Sequence, residues 1–519
     1  MTVNIASRRK VVVHRNAGGN IRHALRDILI LDTLVKLNEI AIVHHTDCGT
    51  MRFTDQQLQA ALKEQAGEAH WAEVEKIDFG ATLGVEESLK RDLQWVQGNP
   101  LLRDTLKQAT QGFIFDLKTG RVEKVEAWSV VLGSWCVLFC SFGWINSIGV
   151  FQNYYKATLL SQYSDSTIAW ITSLQIFFMY AMGPVSGSLY DNYGPRYSLL
   201  LGTFLHVFGL MMCSISKEYY QVLLSQGVCS AIGVSIIFQP ATSVIPGWFA
   251  KKRGTAYGIM SSGSSIGGVI FPIMSQRLIP EVGFGWAMRI GAFVILFLLI
   301  IANLTIRSRL PPSPRPLSRS ALTQPLREMK MLLVTAGFTL LTFGMYIPID
   351  YLVVEGISNG IGTNLAQYLP AIMNAGSFFG RLSSGIFADL VGTYNVFAIV
   401  CCLAGILVLA LWIPTTSTAG TIVFAVLFGY TSGAYVSLAA ALVVKISPFQ
   451  QIGYRVGLIF LFASIGGLTT NPIAGALLAN DNGSYRDMKI FAGVILLSGT
   501  TLVFSARLQH TGLKLMAKF

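Results

Sequence analysis

Twelve apolar stretches constrain this chain more than any other feature. They lie at roughly 128–152, 167–189, 197–215, 220–243, 255–275, 286–306, 331–350, 364–388, 393–412, 419–442, 455–479 and 488–507. Each approaches the ~20 residues that an α-helix needs to cross the hydrocarbon of a bilayer. A soluble helical core cannot hide twelve of them, so the expected fold is an all-α bundle of twelve transmembrane helices. Composition agrees, with 52% hydrophobic and 13% charged residues against about 25% charged in soluble domains. That balance excludes disorder, a coiled coil or a nucleic-acid-binding module as a description of the whole, despite a net charge of +12.

The charge is unevenly spread. Residues 1–126 carry 17 positive and 17 negative side chains, whereas the remaining residues carry 22 and 10. The first segment therefore reads as a small soluble unit preceding the membrane bundle. Of seven cysteines, Cys136, Cys140, Cys213, Cys229, Cys401 and Cys402 lie in apolar stretches and form no disulfide framework, leaving Cys48 apart. Lys251, Lys252 and Arg253 fall between spans 4 and 5, and Arg307 to Lys330 between spans 6 and 7 carries six cations. With Arg507, Lys514 and Lys518 in the tail, the bias of Lys and Arg places both termini in the cytoplasm. Residues 307–330, with Pro311, Pro312 and Pro314, read as a cytoplasmic linker between six-helix halves at 127–306 and 331–519.

An internal repeat supports that division. Gly187, Asp191 and Gly194 follow span 2, and Gly385, Asp389 and Gly392 follow span 8 at the same spacing. A lone motif of this kind is weak, but its recurrence at equivalent places marks a duplication. Each Asp ends a helix before a glycine-permitted turn. Asp191, pairing with Arg196 or with loop cations, is expected to act as a latch that holds neighbouring helices in one state, and Asp389 likewise. Arg381, inside an apolar helix, is the most informative side chain. An intramembrane charge is costly and normally faces a cavity or a partner, and a guanidinium fork matches a carboxylate. Gln152, Asn153, Gln239, Asn374, Ser377 and Asn471 are softer candidates for a cavity lining, Tyr346 and Tyr368 for stacking on a ligand. Gly263, Gly267, Gly268, Gly466 and Gly467 read as close helix crossings. Asn482-Gly483-Ser484 matches a glycan acceptor.

The repeated motif resembles the loop signature of the major facilitator superfamily, although Asn192 and Tyr197 stand where basic residues are common. Leu138 to Trp144, Gly149 to Gln152, Trp248 to Gly254 with Gly258 and Gly263, and Gly380 to Leu382 resemble fungal members of its monocarboxylate transporter family. The resemblance implies alternating access and a span-8 arginine, here Arg381, for a substrate carboxylate. It places Ser377 and Asn146 where animal members carry an Asp and a Lys for proton coupling. Neither titrates, which argues against simple proton–carboxylate symport through those two groups and opens the substrate to something larger or other than a monocarboxylate. Arg381, Asn146, Ser377 and Asn374 are the expected substrate-binding residues.

In the first segment, Val11–Val13 and Ile40–Val43 read as strands, Arg22–Leu37, Thr54–Gln65 and Glu86–Gln111 as helices, and Phe113–Leu117 with Arg121–Val125 as a hairpin: a small, incomplete α/β domain. His45 and Cys48 have the spacing of a zinc-ligand pair, but a zinc site needs more than two ligands. His14 to Gly19, Ile42 to Gly49 and Gly112 to Asp116 with Thr119-Gly120 resemble the later part of a beta-class carbonic anhydrase. That family adds a third ligand and an Asp–Arg dyad from an upstream Cys-x-Asp-x-Arg motif. No counterpart precedes His14, so the pair is expected to be vestigial, zinc disfavoured and the segment not an enzyme.

The leading expectation is a secondary active transporter of a small organic anion, monocarboxylate-like or related, in the plasma membrane. Its partners are the lipid bilayer and a small-molecule substrate, with no nucleic acid and no cofactor required for transport. A bifunctional anhydrase–transporter and a non-transporting membrane sensor are the alternatives. The first predicts bound zinc and CO2 hydration, the second tight ligand binding without flux.

Overall fold

A computed structural model of the chain describes residues 2–4, 10–12, 21–45, 55–67, 70–75, 84–116, 121–123, 127–249, 252–309, 322–448, 451–481, 483–512 and 518. Backbone contacts divide it into two units, Met1–Trp128 and Ser129–Phe519.

In the first unit, β1 (Thr2–Asn4) and β2 (Lys10–Val12) form an antiparallel ribbon. A three-stranded sheet is built from β3 (Ile40–His45), β4 (Thr110–Asp116) and β5 (Arg121–Glu123). β3 and β4 run parallel, from Ile40 opposite Thr110 to His45 opposite Phe115, and β4 and β5 form the expected hairpin. α1 (Leu25–Val35) precedes the parallel pair, and α2 (Asp55–Ala66), α3 (Trp71–Val74), α4 (Val85–Gly98) and α5 (Asp104–Gln108) lie between its two strands in the chain. The helix expected over Glu86–Gln111 is broken. Asn99 caps it, its side chain accepting from the Leu101 amide, and Pro100 cannot continue the hydrogen-bond ladder, so Thr110 and Gln111 enter β4. Ile21, Ile28, Ile42, Leu89, Val96 and Leu106 make the core. Beside it, His44 Nε2 lies 3.0 Å from Asp92 Oδ2, which also accepts from the Ile21 amide. Arg103 forks onto Asp32 and holds its carboxyl below the usual carboxylate range.

The second unit is an inside-out protein: Phe204, Phe297, Phe379 and Ile399 are exposed, whereas Gln175, Gln226, Gln239, His206 and Arg381 are buried. Among the described residues, ten helices are long and apolar enough to cross a bilayer. They are α6 (Ala127–Leu159), α7 (Asp165–Tyr193), α8 (Pro195–Cys213), α9 (Tyr219–Trp248), α10 (Arg253–Thr305), α11 (Met329–Ser358), α13 (Thr393–Trp412), α14 (Thr418–Ile446), α15 (Ile452–Asn480) and α16 (Arg486–Thr511). Between α11 and α13 lies α12 (Leu369–Val391), which carries Arg381 and Asp389. At 53 residues α10 is too long for one crossing, and it breaks at Gly283, whose φ of 80° leaves the helical region. Serine and threonine hydroxyls within these helices mostly donate to a carbonyl one turn back, as Ser141 does to Val137 and Thr335 to Met331. Polar side chains are thereby satisfied without water.

Two residues give α11 and α16 a buried strut. Glu355 and Lys489 form an ion pair, the lysine donates to the Trp412 carbonyl at 2.9 Å, and its ammonium stands 5.0 Å above the Trp412 ring. Removing one partner strands the other charge, a loss of about 3–5 kcal/mol. Lys489→Met is therefore expected to lower the unfolding temperature sharply in detergent, and Lys489→Met with Glu355→Leu to recover most of it. Equal destabilisation in both variants would argue against the strut.

Candidate functional site

The helical period places Asn374, Ser377, Arg381, Gly385 and Asp389 on one face of α12. That face lies against α10 in antiparallel register. At Gly268 an added methyl would meet Asn374 Oδ1 at 2.7 Å. Ser265 donates to Ser377 at 3.1 Å, and Arg381 donates through one terminal nitrogen to the Ser261 carbonyl at 3.1 Å and through Nε to Ser377 at 3.0 Å. Gly258 and Gly254 then pack on the Arg381–Gly385 turn, where a methyl on Gly258 would stand 2.6 Å from the Arg381 carbonyl. The seam ends at Asp389, whose carboxylate accepts from the Gly254 and Thr255 amides at 2.8 and 2.7 Å and from the Thr255 hydroxyl. From Asn374 to Asp389 it covers about 22 Å at 1.5 Å per residue.

A second seam repeats the first between α7 and α15. Gly183 packs on Gly457 and Gly187 on Gly453. Asp191 accepts from the Gly453 amide at 2.9 Å and the Tyr454 amide at 2.8 Å. Both aspartates thus sit on the first turn of a distant helix, where amides lack intrahelical partners and the helix dipole is positive. Arg196 is exposed at the start of α8, so the partner of Asp191 is a helix terminus rather than this expected cation. Gly194 (φ 77°) and Gly392 (φ 112°) supply the turns that follow. A side chain at Gly187 or Gly385 would collide with the Gly453 or Gly254 carbonyl. Overpacking costs typically 1–3 kcal/mol, so valine at either position is expected to disfavour this closed arrangement by roughly 5- to 100-fold. Increased thiol labelling of cysteines placed along the seam would report it, and unchanged labelling would count against it.

The remaining predicted residues fall into place unevenly. Asn146 occupies an irregular turn in α6, donates to the Phe142 carbonyl and accepts from Asn374 Nδ2 at 3.0 Å. Asn146 with Asn374 and Ser377 with Arg381 therefore form two hydrogen-bonded pairs along one seam. Tyr346 pairs with Tyr180, the two hydroxyls 2.8 Å apart, and the Tyr180 hydroxyl is within electrostatic reach of Arg381. Around Tyr180 the rings of Phe142, Phe238, Phe460, Phe338 and Tyr435 make an aromatic cluster drawn from six helices. Gln239 is fully buried beside Phe238 with neither amide atom hydrogen-bonded. Tyr368 is exposed and away from these contacts. Gly267 faces the Phe139 carbonyl and Gly143, a close crossing as expected.

Asp350 went unnoticed in the sequence because it closes the apolar run 331–350 and reads as a helix end. Helix α11 continues to Ser358, placing Asp350 and Glu355 inside it. The apolar Leu352, Val353 and Val354 beyond Asp350 were the available signal. Cys48, the side chain of His45 and Asn482 lie outside the described residues. Among the described residues, no group of three or more His, Cys, Asp or Glu side chains is placed to hold a metal ion.

The family model and the similar sequences point to one family. The family model described as Major Facilitator Superfamily matches residues 133–422. The MFS transporter asaE of Aspergillus flavus is 58% identical over 397 residues, covering 76% of this chain and 90% of that protein. The fujikurins efflux protein of Gibberella fujikuroi is 51% identical over 394 residues, covering 76% and 85%. Among solved structures, the transporter FucP in its outward conformation is similar with a TM-score of 0.60 at 15% identity, covering 73% of this chain and 98% of that one. The likeness shows a shared fold.

Proposed function

Because the chain belongs to the Major Facilitator Superfamily, we propose that its second unit is a secondary transporter that moves an acidic, largely aromatic organic metabolite by alternating access. The observation that carries this reading is Arg381: a guanidinium buried in the seam between α12 and α10, with the Tyr180 hydroxyl of the aromatic cluster within electrostatic reach. The cation suits a carboxylate, and the rings suit an apolar body. Gln239 offers two further polar atoms. Outward transport is the favoured direction, because the relatives from Gibberella fujikuroi and Emericella nidulans are named efflux proteins, for fujikurins and aspyridones.

Twelve crossings follow if the two arms of α10 count separately and α12 is included, giving six-helix halves at 127–306 and 331–519. In this reading both termini and the two aspartate caps are cytoplasmic, the membrane is the plasma membrane, and the contacts along both seams close the cytoplasmic side. The two seams are the latches between halves. Reconstituted vesicles test the proposal. Saturable flux of radiolabelled 4-aminohippurate, an aromatic carboxylate, is expected above that of protein-free vesicles. Binding of this probe without flux would favour a sensor instead.

Residues 11–125 are best read as an anhydrase-like remnant without catalysis. The parallel pairing of β3 with β4, followed by the β4–β5 hairpin, supports it. Less than one zinc per ten chains by elemental analysis, and no CO2 hydration, are expected to order of magnitude for a site with two ligands. Stoichiometric zinc with hydration would establish the bifunctional alternative.

A further inference from the structure

Gln239 lies inside α9 with both amide atoms idle. The residue is fully buried, and among the described residues neither Oε1 nor Nε2 has a hydrogen-bond partner. The other buried glutamines of this unit engage each other: Gln226 Nε2 donates to Gln175 Oε1 at 3.1 Å, and Gln226 Oε1 accepts from the Tyr155 hydroxyl. One turn on from Gln239, on the same face, the buried Ser243 hydroxyl is also unpaired. Pro240 lies between them and leaves the Ile236 carbonyl without its usual helical donor. One turn earlier the face is closed, because Ser235 and Ser186 of α7 bring their hydroxyls 3.3 Å apart. Unpaired buried polar atoms are costly, and several on one turn call for a partner that the folded chain does not supply.

This turn stands level with the contact that Arg381 makes. Tyr257 of α10 donates to the Thr242 carbonyl of α9 at 2.9 Å, and these consecutive spans run in opposite directions. From that bond, Gln239 lies about 4.5 Å back along α9 and Ser261 about 6 Å on along α10, so the two share a depth to within about one turn. The Ser261 carbonyl is the one that receives the Arg381 guanidinium at 3.1 Å. Phe238, the neighbour of Gln239, meets Phe142 of α6 and Phe460 of α15, with ring centroids 5.1 and 5.2 Å apart. Since α15 belongs to the second seam, parting that seam removes the Phe460 cover and opens this turn of α9.

We propose that Gln239 recognises a cis-amide of the transported molecule, a lactam ring whose adjacent N–H and C=O meet its two idle atoms. The proposal rests on the transport reading and narrows its substrate class to organic acids that also carry a lactam. A primary carboxamide presents Oε1 and one N–H of Nε2 side by side. A lactam presents the complementary donor and acceptor in the same arrangement, so two hydrogen bonds close one ring. A carboxylate offers acceptors only and would set negative charge against Oε1. It belongs with Arg381, whose fork has donors only. The two anchors thus divide the molecule by chemistry, the charge to the guanidinium and the neutral donor–acceptor edge to the amide. Ser243, one turn away, adds a hydroxyl able to donate or accept.

Binding to the full chain in nanodiscs tests this with two ligands. One is oxindole-5-carboxylate, an aromatic acid with a ring lactam. The other is its N-methyl derivative, which keeps the acid, the rings and the carbonyl but has no N–H. The lactam is expected to bind about 10- to 100-fold tighter, and Gln239→Leu to bring the two within about twofold of each other. Thermal unfolding of the ligand-free chain gives an independent readout. Gln239→Leu replaces two unpaired polar atoms by apolar ones, so the unfolding temperature should hold or rise, whereas a glutamine kept for packing would lower it on removal. Equal binding of the two ligands, binding of neither, or a preference that survives in Gln239→Leu would each overturn the proposal, as would a clear fall in unfolding temperature. A lactam preference that depends on Gln239, found without flux of 4-aminohippurate or of the lactam acid, would fail the transport reading and leave the recognition site standing.

Discussion

Replacing Arg381 by alanine is expected to reduce saturable flux of 4-aminohippurate by about 30-fold to several thousand-fold, the range that follows from losing a desolvated charge partner worth about 2–5 kcal/mol. Arg381→Lys should recover little. Its ammonium has no planar fork and cannot keep the Ser377 and Ser261 bonds while also receiving a carboxylate. Because the arginine also ties α12 to α10, loss of flux alone would not separate recognition from packing. Binding of the uncharged amide of the same probe makes the separation. It should be nearly unchanged in Arg381→Ala if the guanidinium acts on the anion, and lost together with the acid if the seam has come apart. Equal flux of the acid in Arg381→Ala would sink the role assigned to this residue.

The second large effect concerns the paired aspartates. Asp191 and Asp389 each receive backbone amides at a helix start, and hydrogen bonds to charged groups contribute about 1.5–3 kcal/mol. Asparagine keeps one acceptor oxygen but loses the charge that faces the helix dipole. A loss of about 1.4 kcal/mol at each site would shift the balance between closed and open arrangements tenfold, and about a hundredfold for the pair if the sites act independently. Spin labels at Tyr197 and Val391, both exposed near the two caps, should report a short distance in the unmodified protein and a longer one in Asp191→Asn with Asp389→Asn. An unchanged distance distribution in the double variant would show that the glycine contacts, rather than the carboxylates, hold this end closed.

Much of the architecture was legible because it is local. Hydropathy marked where most membrane helices lie, since a membrane helix must satisfy its backbone internally and expose apolar side chains, although α6 runs on to Leu159 and α11 to Ser358, past the apolar runs 128–152 and 331–350. The strands β3 and β4 and the closing hairpin were likewise readable from short runs. Errors arose where a polar residue was taken for an end. Asp350 and Glu355 lie inside α11, where Glu355 finds Lys489, a partner far away in sequence. The opposite error occurred at Pro100, where a helical pattern was carried through a residue that cannot donate.

By itself the sequence determined that this chain enters a bilayer, that its motif is duplicated, and that Arg381 is a charge inside a span. These properties depend on composition and period, which folding does not alter. Only the tertiary structure decided the partners. It gave Asp191 to amides 262 and 263 residues away and Asp389 to amides 135 and 134 residues away. It also aligned Asn374, Ser377 and Arg381 with Asn146, Ser265 and Ser261. Helix rotation and crossing register make these pairings, and both are set by how glycine surfaces interlock across the seams. No residue's own identity encodes which surface it will meet.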